Sequence, residues 1–154
     1  MVSLGTFAAL IAAFATEGSG NWMDDYGAAL RQAEAEGRPL LVVIGNPGDQ
    51  RAVTHLATLR NDPRADKLLA PYKLCRIDTS TDYGQRVAKA FRATSFPHTV
   101  VIDNTASVKL FKHTGEMTAA DWQTTLVRFA SGERVEGSTV TSAQNYTRYC
   151  PNCR

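Results

Sequence analysis

The sequence predicts an α/β fold: a central four-stranded mixed sheet with helices on both faces, followed by a polar C-terminal tail. Three observations carry this expectation. From Asn21 onward, stretches with helical periodicity alternate with strand-like ones, which implies parallel strands joined by crossover helices. "LLVVIG" (Leu40 to Gly45) is a continuous apolar run rich in β-branched residues, the pattern of a strand covered on both faces. Two further strands flank "NTAS" and form a hairpin that adds an antiparallel pair before a closing helix.

The chain opens on residues 1–20, which stand apart from the rest. Leu4 to Ala15 is a small-and-apolar run with the length of a signal h-region, and it ends in Ala13-Phe14-Ala15, a small-x-small pattern. No lysine or arginine precedes the run, and it is too short for a stable membrane span. The segment reads as signal-peptide-like, which would place the protein in a periplasmic or secreted setting. Its other reading is an N-terminal apolar helix on a cytoplasmic domain. Thr16 to Gly20 forms a flexible joint.

Residues 21–132 carry the folded domain. "NWMDDYGAALRQAEAEG" places Trp22, Tyr26, Ala29, Leu30 and Ala33 on one helical face, with Asp24 and Asp25 in the early turn and Gly37 and Pro39 ending it. After the apolar strand, "NPGD" is a turn. Arg51 to Arg60 is a helix with Val53, Leu56, Ala57 and Arg60 on one stripe. Asn61-Asp62-Pro63 breaks it before a short helix over Arg64 to Ala70. "YKLCRID" (Tyr72 to Asp78) alternates as a strand. Asp82 to Ala93 is a helix with Tyr83, Val87, Ala90 and Phe91 apolar. "HTVVID" and "VKLFKH" are the hairpin strands, and Asp78 and Asp103 cap turns at strand ends. The last helix starts at Thr118, with Asp121 placed for a near-capping box and Trp122, Leu126, Phe129 and Ala130 inward; Gly132 stops it. Residues 133–154 lose periodicity and read as a tail with at most one short strand near Val140.

Composition narrows the function classes. The 154 residues are 44% hydrophobic and 21% charged, with a net charge of +2, enough for one domain with a real core. The charge is too small and too scattered for a nucleic-acid footprint. Three cysteines are too few for a disulfide-built scaffold.

The stretch from Trp22 to Ser131 resembles the thioredoxin-like superfamily. The resemblance rests on the aromatic-led helix running into "AEAEGRPLLVVIG", on "LCRIDTSTDYGQRVAKAFRATSFPHTVVID", and on "VKLFKHTGEMTAADWQTTL". Pro97 matches the family's cis-proline, with His98 where threonine is usual. The resemblance implies a CxxC pair just after the central strand, where helix N-terminal amides lower a thiol's pKa. Here that segment reads "GNPGDQRAV" (Gly45 to Val53), without cysteine, serine or threonine, and Asp49 to Ala52 fill the slot. Neither "LLVVI" nor the preceding helix offers the buried acid that redox members often hold. The usual site is therefore expected to be redox-inactive. The resemblance further implies a backbone edge at Phe96-Pro97 that takes an extended peptide by strand addition. Asn46, Pro47, Gly48, Asp49 and Phe96 would line that groove for a protein or peptide partner. Pro97 has a plainer role too, holding the turn. No cofactor is expected.

Other chemistry-bearing residues are weaker candidates. His55, His98 and His113 lack HxxxH or HxH spacing and read as surface histidines, not metal ligands; His55 and His98 could reach one surface with Asp49. Cys75 sits in a strand as a buried, inert thiol. Cys150 and Cys153 form a CxxC in "RYCPNCR" with nothing after them to supply a helix N-terminus. A disulfide there closes too short a loop to stabilise much. As alternatives, the pair is a redox arm of an oxidoreductase, since "YCPNC" resembles a glutaredoxin-type dithiol, or half of an intermolecular zinc site.

Overall fold

A computed structural model of the chain describes residues 21–134. Its elements run β1 (Trp22–Met23), α1 (Tyr26–Glu36), β2 (Leu40–Gly45), α2 (Gln50–Arg60), α3 (Ala65–Leu69), β3 (Lys73–Asp78), α4 (Asp82–Ala90), β4 (His98–Ile102), β5 (Lys109–Thr114) and α5 (Ala119–Arg128). The strand order is β1-β3-β2-β4-β5. β1 and β2 run parallel to β3, whereas β4 is antiparallel to both β2 and β5.

The expected mixed α/β architecture is present, with one correction: the sheet has five strands, not four. Trp22 was expected on the inner stripe of the first helix. It lies instead in β1, opposite Leu74 of β3. Once β2 has taken one side of β3, the backbone groups on the other side need partners, and residues 22 and 23 supply them. Asp25 then sets the helix start, its carboxylate accepting the Ala28 N–H at 2.8 Å. Both aspartates thus precede the helix.

The pleat sends alternate residues of β2 to opposite faces. Leu40, Val42 and Ile44 pack against α1 and α4 through Ala29, Ala33, Val87 and Ala88. Leu41 and Val43 pack on the other face with Leu59 of α2 and Trp122 and Leu126 of α5. All five apolar residues of the strand are buried, as its unbroken run requires. The loop-end of this arrangement positions the candidate site. The C-terminal ends of the parallel β2 and β3 and the N-terminal end of the antiparallel β4 all lie at one end of the sheet.

Two helix faces differ from expectation. In α2 the buried residues are Ala52, His55 and Leu59, not the Val53–Arg60 stripe, and Val53 is 46% exposed. In α4, Ala88 is buried and Ala90 exposed. The capping expectations hold. Thr118 and Asp121 form a reciprocal capping box. The Asp103 carboxylate accepts N–H bonds from Ser107 (2.7 Å) and Val108 (2.9 Å), fixing the β4–β5 turn. Asp78 holds Ser80 through its N–H (2.8 Å) and hydroxyl (2.6 Å). The strand expected near Val140 lies outside the described residues.

Lys109 on β5 is half-buried, its Nζ 4.5 Å from the centroid of the Phe91 ring. Burial, and then the charges of Lys112 and Arg92, push its pKa down to about 7. An unfolded lysine titrates near 10.5, so the folded chain binds fewer protons between those values and stability rises with pH across that window. Lys109→Met is expected to flatten this rise, as read from urea midpoints at pH 7 and pH 9.5. An unchanged slope would show that Lys109 keeps an ordinary pKa.

Candidate functional site

The loop from Asn46 to Asp49 leaves the end of β2 and enters α2. Asn46 closes it locally: its side-chain Oδ1 accepts the Gly48 N–H at 2.8 Å and its carbonyl accepts the Asp49 N–H at 2.9 Å. Asp49 is the N-cap of α2. Its carboxylate accepts the Arg51 N–H at 2.9 Å and lies 3.7 Å from the Arg51 guanidinium. The positive end of the helix, where a thiolate would gain stabilisation, is thus occupied by the Asp49 side chain. A carboxylate has no sulfur to exchange with a disulfide. Ala52, at the other end of the four-residue slot, is buried. Replacing Asp49 with Ala removes the cap and is expected to cost about 1 kcal/mol, measured by urea unfolding, with the fold retained.

Across the sheet end, the Phe96-Pro97 peptide bond is cis. Pro97 is buried, and its carbonyl accepts the Gly115 N–H at 2.8 Å. The backbone N–H and C=O of Phe96 have no hydrogen bond among the described residues, so one donor and one acceptor are open at the edge. The six residues expected to share a groove do not share one wall. Asn46 and Pro47 line a cavity of about 270 Å³ beside α2. Phe96 turns the other way, lining a cleft with Ala88, Lys89 and Arg92 of the α4 side and packing on the core beneath α1 and α4. They share the sheet end, with the loop and the cis-proline turn flanking the paired residues Ile44 and His98.

The histidines require a correction: neither His55 nor His98 is a surface residue, with exposures of 0% and 4%. They also point to opposite faces of the sheet. His55 bonds Thr99, the residue after His98 on β4, and successive strand residues face opposite ways. The Met117 N–H donates to His55 Nδ1 at 3.1 Å, so the ring proton sits on Nε2 and is donated to the Thr99 hydroxyl at 2.9 Å. The ring also lies 4.7 Å from that of Trp122. His98 Nδ1 pairs with the Thr114 hydroxyl at 2.8 Å, and Nε2 has no partner among the described residues. Burial pushes both pKa values down to about 4. These are neutral core groups at physiological pH, and no acid–base cluster with Asp49 forms.

Cys75 is fully buried in β3, and burial followed by the nearby Asp25 and Asp24 charges pushes its thiol up to about 12. It is inert, as its strand position implied. Cys150 and Cys153 lie outside the described residues. Among the described residues no group of three His, Cys, Asp or Glu side chains could hold a metal ion, and no helix is long and apolar enough to cross a membrane. Sequence reasoning missed the cavity beside α2. Its signal was the Val53, Leu56, Ala57 and Arg60 stripe, which lines that cavity, with Leu56 alone also packing on the core.

Comparison with known proteins places this geometry. A family model described as thioredoxin-like matches residues 21–104, more than half of the chain. No curated protein matches the sequence. Among solved structures, a thioredoxin from Thermus thermophilus is 23% identical with a TM-score of 0.63, covering 72% of this chain and 87% of its own. Thioredoxin O2 from Arabidopsis thaliana is 9% identical with a TM-score of 0.59, covering 73% and 95%. A DsbH oxidoreductase is 13% identical with a TM-score of 0.58, covering 82% and 94%. At these identities the structural likeness shows the shared fold.

Proposed function

The chain belongs to the thioredoxin-like family, and from that premise we propose that it is a non-catalytic member, a module that binds a protein or an extended peptide segment. One observation carries the reading: the helix N-terminus that would activate a thiol is capped by the Asp49 carboxylate. The described cysteine, Cys75, is buried with a raised pKa. The binding half of the reading is supported by Phe96, whose backbone donor and acceptor have no partner among the described residues and suit an added strand beside the Asn46–Asp49 loop. The signal-like run before Ala15 supports an exported setting, which mass determination of the mature N-terminus tests.

The catalytic half is tested by dithiothreitol-driven insulin reduction with the full chain and its Cys150→Ser variant. Turnover in neither is expected. Turnover in the wild type that the variant loses would overturn the reading in favour of the tail dithiol. The binding half is tested by titrating the labelled chain with S-carboxymethylated insulin B chain, an extended polypeptide that cannot exchange disulfides. Amide shifts at Phe96, Asn46 and Gly48 are expected; shifts confined to other residues would remove the edge from the proposal. A zinc assay on reduced protein with a size measurement addresses metal bridging by two tails.

A further inference from the structure

Helix α2 has two apolar faces; the core takes one whole and, on the other, only part of Leu56. Ala52, His55 and Leu59 face the sheet. Val53, Leu56 and Ala57 line the cavity of about 270 Å³ together with Val43, Gly45 and Pro47. Val53 is one of two large hydrophobic side chains that are exposed among the described residues. Gly45 and Ala52 keep the floor low: a Cβ added at Gly45 would sit 3.0 Å from that of Ala52, so no side chain projects there.

The rim is charged, and its charges are unequal. Arg60 and Arg76 both line the cavity and are exposed. Neither makes a hydrogen bond or ion pair among the described residues. Arg38, Arg51 and Arg64, by contrast, each pair with an acid. One carboxylate lies at the rim, Asp78; its Oδ1 is engaged by the Ser80 N–H and hydroxyl, and these bonds, with a smaller contribution from the Arg76 charge, lower its pKa. Two arginines and one carboxylate thus line an apolar floor, leaving a surplus positive charge at its rim.

We infer that this cavity is a binding site for a small apolar carboxylic acid, its hydrocarbon body against Val53, Leu56 and Ala57 and its carboxylate at Arg60 and Arg76. The guanidinium fork matches a carboxylate in geometry as well as charge. The size sets the ligand class. An enclosed volume of about 150 Å³ accepts benzene, so a solvent-open cavity of about 270 Å³ suits a ligand of roughly ten non-hydrogen atoms with one end in water. A medium-chain or aryl acid fits it; a helix of a partner protein does not. The site lies on the α2 side of the Asn46–Asp49 loop; it shares Asn46 and Pro47 with that loop but does not include Phe96, whose amide distinguishes the peptide edge from this site.

The test titrates the full-length, isotope-labelled chain with sodium octanoate and, separately, with octan-1-ol. Octanoate is expected to bind with a submillimolar Kd and the alcohol at least tenfold more weakly, with amide shifts centred on Val53, Leu56 and Arg76. The double variant Arg60→Gln, Arg76→Gln alters exposed side chains and is expected to keep its Tm while losing at least tenfold in octanoate affinity. Ala57→Phe fills the cavity and is expected to abolish the shifts. The proposal is overturned by equal binding of acid and alcohol, by no binding of octanoate, or by shifts centred elsewhere. Wild-type affinity in the folded double variant would overturn it as well.

Discussion

Lowering the pH from 7 to 4 is expected to remove on the order of 3 kcal/mol of stability per buried histidine, or about twofold that for His55 and His98 together. Unfolded histidine titrates near 6.5, while both folded groups titrate near 4. Between those values the unfolded chain binds a proton that the folded chain refuses. The stabilising contribution is therefore complete above pH 6.5, falls as the pH drops towards 4, and is flat below. The physical obstacle differs at the two sites. Protonating His55 puts a proton on Nδ1, which already accepts the Met117 N–H. At His98 it creates a second N–H donor while Nε2 has no partner among the described residues, and Lys109, Lys112 and His113 add repulsion. Carboxylates with lowered pKa, such as Asp78 and Asp121, act below this window. Urea midpoints at pH 7.0, 5.5 and 4.2 measure the effect. His98→Gln keeps a polar partner for Thr114 without the titration and is expected to remove about half of the slope. A wild-type stability that is level from pH 7 to pH 4.2 would refute the neutral, buried assignment of both rings.

Gly84→Val is expected to be the most damaging single substitution at a glycine, costing about 3 kcal/mol or more, the upper end for overpacking. Gly84 is buried in the first turn of α4, where the Thr81 hydroxyl accepts its N–H at 2.9 Å. A Cβ at this position would lie 1.8 Å from the Asp78 carbonyl oxygen and 2.5 Å from its carbon. The obstacle is backbone at the end of β3, in a strand paired on both sides, so it cannot swing away as a side-chain tip can. Relief requires lifting α4 from the sheet and withdrawing Val87 and Ala88 from the core. Gly48→Ala provides the contrast, since its nearest neighbour would be the Asn46 Oδ1 at 3.2 Å in an exposed loop; a cost under about 1 kcal/mol is expected. Chemical denaturation and near-ultraviolet circular dichroism separate the two. Similar costs at both positions would contradict the close approach of α4 to β3.

Much of the candidate site was legible residue by residue. Asp49 is a strong N-cap type immediately before a helix, and the gap in thiols across "GNPGDQRAV" is a direct reading of the chain. The cis bond at Phe96-Pro97 matches what the resemblance implied. The burial of the histidines was not legible. A histidine on an amphipathic helix satisfies the same spacing whether it faces water or a threonine across a sheet, and Thr99 is 44 residues away. The cavity beside α2 escaped for a related reason, because an apolar stripe announces that a face is apolar and not what it meets.

What the sequence determined by itself is the set of features that close within a few residues. These include the unbroken run that buries Leu40 to Ile44 on both faces, the capping box at Thr118 and Asp121, the turn held by Asp103, and the missing thiol ahead of α2. Tertiary structure alone decided the fifth strand, the rotation of α2 and the fate of His55. Each depends on a partner distant in the chain: the open side of β3 for Trp22 and Met23, the surface of β2 and α5 for Ala52 and Leu59, Thr99 and Met117 for His55. Periodicity and caps report energies that the local backbone already contains. Pairing and burial energies exist only after two remote segments meet, so they can override a local pattern without leaving a trace in it.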